Sequence, residues 1–79
     1  MKLPRDLSGT ELIRLLCREF EYRQVNQEGS HVILHTASPR AHRLSVPAHS
    51  PLRIGTLNAI LRALAEVKGI AKEDILAKL

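Results

Sequence analysis

The sequence predicts an α+β fold: one helix, three antiparallel strands, a second helix and a short extra C-terminal helix. Three observations predict it. Apolar residues recur at helical spacing near both ends of the chain. Between them, from Tyr22 to Pro47, run three short strand-like segments separated by turn residues. The hydrophobic content is 44%, with a single cysteine, so a small core must hold the fold without a disulfide. Three consecutive strands with flanking helices make a two-layer structure. The helices cover one face of a three-stranded sheet, and the other face is left for solvent or a ligand.

The first helix opens at Ser8. Glu11 stands three residues on, the spacing of a capping box. Leu12, Ile13, Leu16, Cys17 and Phe20 define its apolar stripe, and Cys17 reads as a small core hydrophobe. The helix should end near Glu19–Glu21. Tyr22 to Gln27 reads as the first strand, with Val25 inward. Glu28-Gly29-Ser30 is a hairpin turn in which Gly29 supplies positive φ. His31 to Thr36 is the second strand and Ala37 to Ala41 the next turn. His42 to Pro47 is the third, with Leu44 and Val46 inward and Arg43 and Ser45 outward. A loop, Ala48 to Arg53, leads to a second helix that begins near Thr56 as N-cap. Leu57, Ile60, Leu61 and Leu64 form its stripe, and Gly69 closes it. The last helix, about Lys72 to Leu79, offers Ile75, Leu76 and Leu79.

The 79 residues suffice for one domain, residues 1–79. The formal net charge is +4, which favours an anionic partner. No run approaches the ~18 apolar residues of a membrane span. The start, Met1 to Asp6, has no apolar signal segment, so a cytoplasmic protein is expected. From Gly29 to Ala65 there is no Asp or Glu. The same stretch holds all four histidines (His31, His35, His42, His49) and the arginines Arg40, Arg43, Arg53 and Arg62.

Those residues narrow the chemistry. His31 and His35 share a strand face but stand ~13 Å apart, too far for one ion held at ~2.0–2.1 Å per nitrogen. No metal site and no small-molecule cofactor is expected. No Gly-x-Ser-x-Gly elbow marks a serine nucleophile. Acid–base chemistry on RNA asks for less, because ribose carries its own nucleophile. An imidazole moves the proton, and guanidinium groups hold the phosphate. His31, directly after the turn, suits the first role. Arg40, Arg43 and Arg53 suit the second, with Ser30 and His49 as further RNA contacts. With no Asp or Glu from Gly29 to Ala65, His31 should be oriented by a backbone carbonyl, water or the substrate. The residues alone leave two readings open: a proton-transfer group, or a polar strand-end residue in an RNA-binding module without catalysis.

The blocks Gln27-Glu28-Gly29-Ser30-His31, Val46-Pro47-Ala48-His49, Gly55-Thr56-Leu57 and Ile60-Leu61 stand in an order and spacing that resemble the HicA (YcfA-like) toxin family. The resemblance covers roughly Ser8 to Leu76. It implies a double-stranded-RNA-binding-domain-like fold. It implies an endoribonuclease that cleaves mRNA without metal, the toxin of a type II toxin–antitoxin system. It places the catalytic histidine on His31 and implies a HicB-type antitoxin that covers the RNA-binding face. Two positions depart from the family pattern: Glu21, where glycine is frequent, and Glu28, where a basic or polar residue is usual.

Overall fold

The computed structural model describes residues 6–78, and its element order is α-β-β-β-α-α. Met1 to Arg5 and Leu79 lie outside the described residues, and with them the expected extension of the last helix to Leu79. Helix α1 is Gly9–Glu19. Its capping box forms as the spacing requires. Ser8 Oγ accepts the Glu11 N–H at 3.1 Å, and Glu11 Oε1 accepts the Ser8 N–H at 3.4 Å. Leu12, Leu15, Leu16 and Phe20 are buried. Cys17 is not in the core. It is exposed, because at 100° per residue it lies about 140° round the helix from Leu12. Leu15, on the near side, takes the expected place. After Phe20 the chain turns at Glu21 with φ +62°, a left-handed conformation at the position where the family favours glycine.

The sheet is antiparallel, in the order β1 (Arg23–Glu28), β2 (His31–Thr36), β3 (His42–Pro47). Gly29, at φ +61°, and Ser30 form the two-residue turn between the first two strands. The first strand begins one residue later than expected, and Tyr22 joins the core instead. Val25 is not inward. It is 47% exposed, because the register between β1 and β2 shifts between Gln24 and Asn26 and leaves it as the extra residue of a bulge. On β2 and β3 the alternation is clean. Val32, Leu34, Leu44 and Val46 are buried toward the helices, while Arg43 and Ser45 face out.

Helix α2 is Ile54–Lys68, three residues longer at its start than Thr56 as N-cap suggests, with Arg53 at the N-cap. Neither Gly55 nor Thr56 serves as cap. The extended backbone of Arg53 (ψ 142°) already lets its carbonyl accept the Leu57 N–H at 2.9 Å. Gly69 ends the helix at φ +67°. Helix α3 is Lys72–Leu76, and its Ile75 is fully buried. Leu12, Leu16, Leu34, Val46, Leu57, Leu61, Leu64 and Ile75 share one aliphatic core between helices and sheet. The opposite sheet face carries no covering element among the described residues.

Candidate functional site

The open face is organised in cross-strand rows, because residues directly opposite each other point to the same side. One end row is Glu28, His31 and Pro47. The row at the other end is Arg23, His35 and Arg43. Four residues of β2 separate them, ~13 Å.

At the first end the loop after β3 folds back over the β1–β2 turn. Backbone bonds fix it there. Ala48 N–H donates to the Ser30 carbonyl at 2.7 Å, Gly9 N–H to the His49 carbonyl at 2.8 Å, and Leu52 N–H to the Leu7 carbonyl at 2.8 Å. These bonds bring His49 to His31. The two rings sit 6.4 Å apart, centroid to centroid, inclined at 60°. Ser30 Oγ and His49 Nε2 share a hydrogen bond of 3.1 Å. Ser45 Oγ lies 3.5 Å from His31 Nδ1, a long contact from the neighbouring strand. Both imidazoles are exposed. They line a cleft of about 230 Å³ together with Pro47, Leu52, Arg53 and Thr56. The wall facing His31 is thus the start of α2, whose first turn has no side-chain cap. Its free N–H groups and the adjoining Arg53 make that wall electropositive.

The structure brings Ser30, His31, His49 and Arg53 together and leaves two expected residues elsewhere. Arg43 lies on the open face opposite His35, at the far row. Arg40 lies in the β2–β3 turn, where its guanidinium stands 3.9 Å from Glu66 of α2, both well exposed. A separation this long between solvated groups adds little. Sequence reasoning passed over Ser45 as a neighbour of the His31 ring. The outward parity of β3 was the signal that could have found it.

His42 lies apart from the cleft. It points to the helix side, where its Nδ1 shares a 3.0 Å hydrogen bond with the phenol of buried Tyr22. Burial, then the Arg40, Lys68 and His35 charges, hold its pKa below the usual value, and Glu66 opposes them. Burial pushes the Tyr22 phenol up. Lys68 closes this second cluster. Its Nζ donates to Thr36 Oγ1 at 3.0 Å and to the Ser38 carbonyl, and lies 5.1 Å from the Tyr22 ring centroid. Cys17, off the site on α1, has its thiol raised by partial burial, which opposes the thiolate a nucleophile needs. Among the described residues no group of three or more His, Cys, Asp or Glu stands close enough to hold a metal ion. No described helix is long and apolar enough to cross a membrane.

The family model for the HicA toxin of bacterial toxin–antitoxin systems matches residues 9–65. The chain belongs to the HicA toxin family. The matched span runs from the first residue of α1 to near the end of α2. It contains the whole sheet, both cleft histidines and Arg53, and leaves α3 outside. No curated protein and no solved structure gives a match. The α+β architecture, with a three-stranded antiparallel sheet under its helices, fits the double-stranded-RNA-binding-domain-like fold that the HicA resemblance implies.

Proposed function

We propose that this HicA-family chain is an endoribonuclease toxin that cleaves mRNA, with His31 as a proton-transfer residue. The observation that carries the reading is the exposed imidazole of His31 on a cleft whose facing wall is Arg53 and the uncapped start of α2. A phosphodiester seated there meets a positive wall on one side and a proton carrier on the other. The ribose 2′-OH supplies the nucleophile, so the protein need only orient it, move its proton and hold the phosphate charge. That division of labour requires no metal ion. Ser30 contributes by fixing His49 at the cleft rim. Arg43, in one row with Arg23 and His35, offers phosphate contacts further along the open face. Arg40 adds to the positive field from the far end. The open face is also the surface that a HicB-type antitoxin would cover, blocking RNA. A toxin of this kind would act in the cytoplasm, where mRNA is translated.

Expression of the chain and of His31→Ala in bacteria, with growth and mRNA integrity followed, tests the proposal. The native chain should arrest growth and fragment mRNA, and the variant should do neither. Purified protein should cleave RNA equally in the presence of a chelator. A harmless native chain that binds RNA without cutting it would make this a binding module. Equal toxicity of both versions would remove His31 from the chemistry.

A further inference from the structure

We infer that His49 is the second proton carrier of the cleft, so that RNA cleavage runs on a pair of imidazoles. The inference rests on the ribonuclease reading above and deepens it. Three observations support it. The rings of His31 and His49 lie 6.4 Å apart, too far to bond each other. A phosphodiester seated in the cleft they share can meet a nitrogen of each ring. Both rings line the same cleft, with Arg53 beside them. And each ring turns one nitrogen toward a serine hydroxyl: Nε2 of His49 bonds Ser30 at 3.1 Å, and Nδ1 of His31 lies at a long 3.5 Å from Ser45. The opposite nitrogen of each is left for substrate. A serine partner serves either tautomer, since a hydroxyl both donates and accepts.

The step balances without any further reactant. One imidazole, neutral, takes the proton of the 2′-OH as the 2′-oxygen bonds to phosphorus. The P–O5′ bond breaks, and its electron pair leaves with the 5′-oxygen. The other imidazole, protonated, gives its proton to that oxygen. The products are a 2′,3′-cyclic phosphate and a free 5′-hydroxyl. Arg53 holds the nonbridging oxygens meanwhile. Among the described residues, Glu28 stands opposite His31 on β1. β3 and the turn bring Ser45, Pro47 and Ser30 to the rings, and α1 meets this loop through the Gly9 N–H.

The test is RNA cleavage by the intact chain, by His49→Ala and by His49→Gln, with kcat and KM measured across pH. Replacing the side chain leaves the Gly9–His49 backbone bond in place, and thermal unfolding by circular dichroism verifies the fold. Glutamine can in addition keep the bond to Ser30. The wild-type profile should be bell-shaped. Both variants should lose about 10²–10⁴-fold in kcat, the range of one acid–base group, together with one limb of the bell. Added imidazole should restore part of the activity to His49→Ala. A folded variant with kcat within about threefold of wild type, both limbs intact and only KM raised, overturns the inference and leaves His49 as an RNA contact. Full kcat in His49→Gln overturns it equally. A wild-type chain that cuts no RNA overturns the ribonuclease reading itself.

Discussion

Replacing Gly9 by alanine should destabilise the protein by about 2–4 kcal/mol. A Cβ at this position would stand 1.9 Å from the Pro47 carbonyl oxygen, 2.8 Å from its carbon and 2.9 Å from Ala48 Cα. All three are backbone atoms, so no side chain can swing aside. The start of α1 must instead back away by roughly 1.5 Å to restore ordinary contact near ~3.5 Å. Overpacking of that kind costs about 1–3 kcal/mol. The displacement also breaks the 2.8 Å bond from Gly9 N–H to the His49 carbonyl, worth about 0.5–1.5 kcal/mol. A domain of this length holds only about 4–12 kcal/mol in total. At about 4–8 °C per kcal/mol, Tm should fall by about 10 °C or more. Gly55→Ala supplies the control. Nothing lies within 4 Å of its added Cβ, in the first turn of α2. That change should be neutral, or stabilising by up to about 1 kcal/mol. Thermal and urea unfolding followed by circular dichroism read both. A Gly9→Ala Tm within about 3 °C of wild type, or equal losses for the two alanines, would refute the packing argument.

Glu21→Gly should stabilise the fold by about 0.5–1 kcal/mol, since a left-handed residue with a Cβ costs about 1–2 kcal/mol and glycine's greater unfolded freedom returns part of that; a lower urea midpoint would contradict this. Lys68→Ala should cost about 1–2 kcal/mol through the lost bonds to Thr36 and Ser38 and the lost contact with the Tyr22 ring, and an unchanged Tm would show the cluster to be idle. His42 has a folded pKa below its unfolded value, so the unfolded chain binds the proton first as pH falls. Its contribution is therefore full above about pH 6.5 and is lost as the pH drops through that value toward the folded pKa. The Tm advantage of wild type over His42→Gln should shrink between pH 8 and 5.5, and a constant or growing advantage would reverse the sign.

Local signals carried most of the fold. The Ser8–Glu11 box, the Gly29 turn, the alternation of β3 and the Gly69 stop each depend on a few adjacent residues, and each forms as read. The failures share a cause, which is geometry set by residues far away. Val25 reads as inward because it is the one aliphatic residue of its strand, and only pairing with β2 shows it to be the extra residue of a bulge. Cys17 and Leu15 differ by two helical positions, and the sheet decides which of them it covers. The place of His42 was legible: Leu44 and Val46 face inward, and the residue two before Leu44 must share their side. Arginine placement was the hardest part. Arg40, Arg43 and Arg53 fall within fourteen residues, yet hairpin topology sends two of them to the end of the sheet away from His31.

The cleft and the fold depend on the same few backbone bonds. His49 is carried on a loop, where a catalytic side chain ordinarily trades precision for mobility. Here the loop is pinned at three points, to Ser30 of the turn, to Gly9 of α1 and to Leu7 before it. Ser30 holds the loop through its carbonyl and the His49 ring through its hydroxyl. A two-imidazole mechanism needs a ring spacing held to within about 0.5 Å. That spacing is therefore set by α1 docking onto the end of β3, which only a glycine at position 9 allows. It follows that Gly9→Ala should lower kcat even under conditions where the variant stays folded, because the defect begins at the atom that holds His49. Cleavage at a temperature well below the variant's Tm reads this directly. A variant with wild-type kcat there would separate the packing of α1 from the spacing of the two rings.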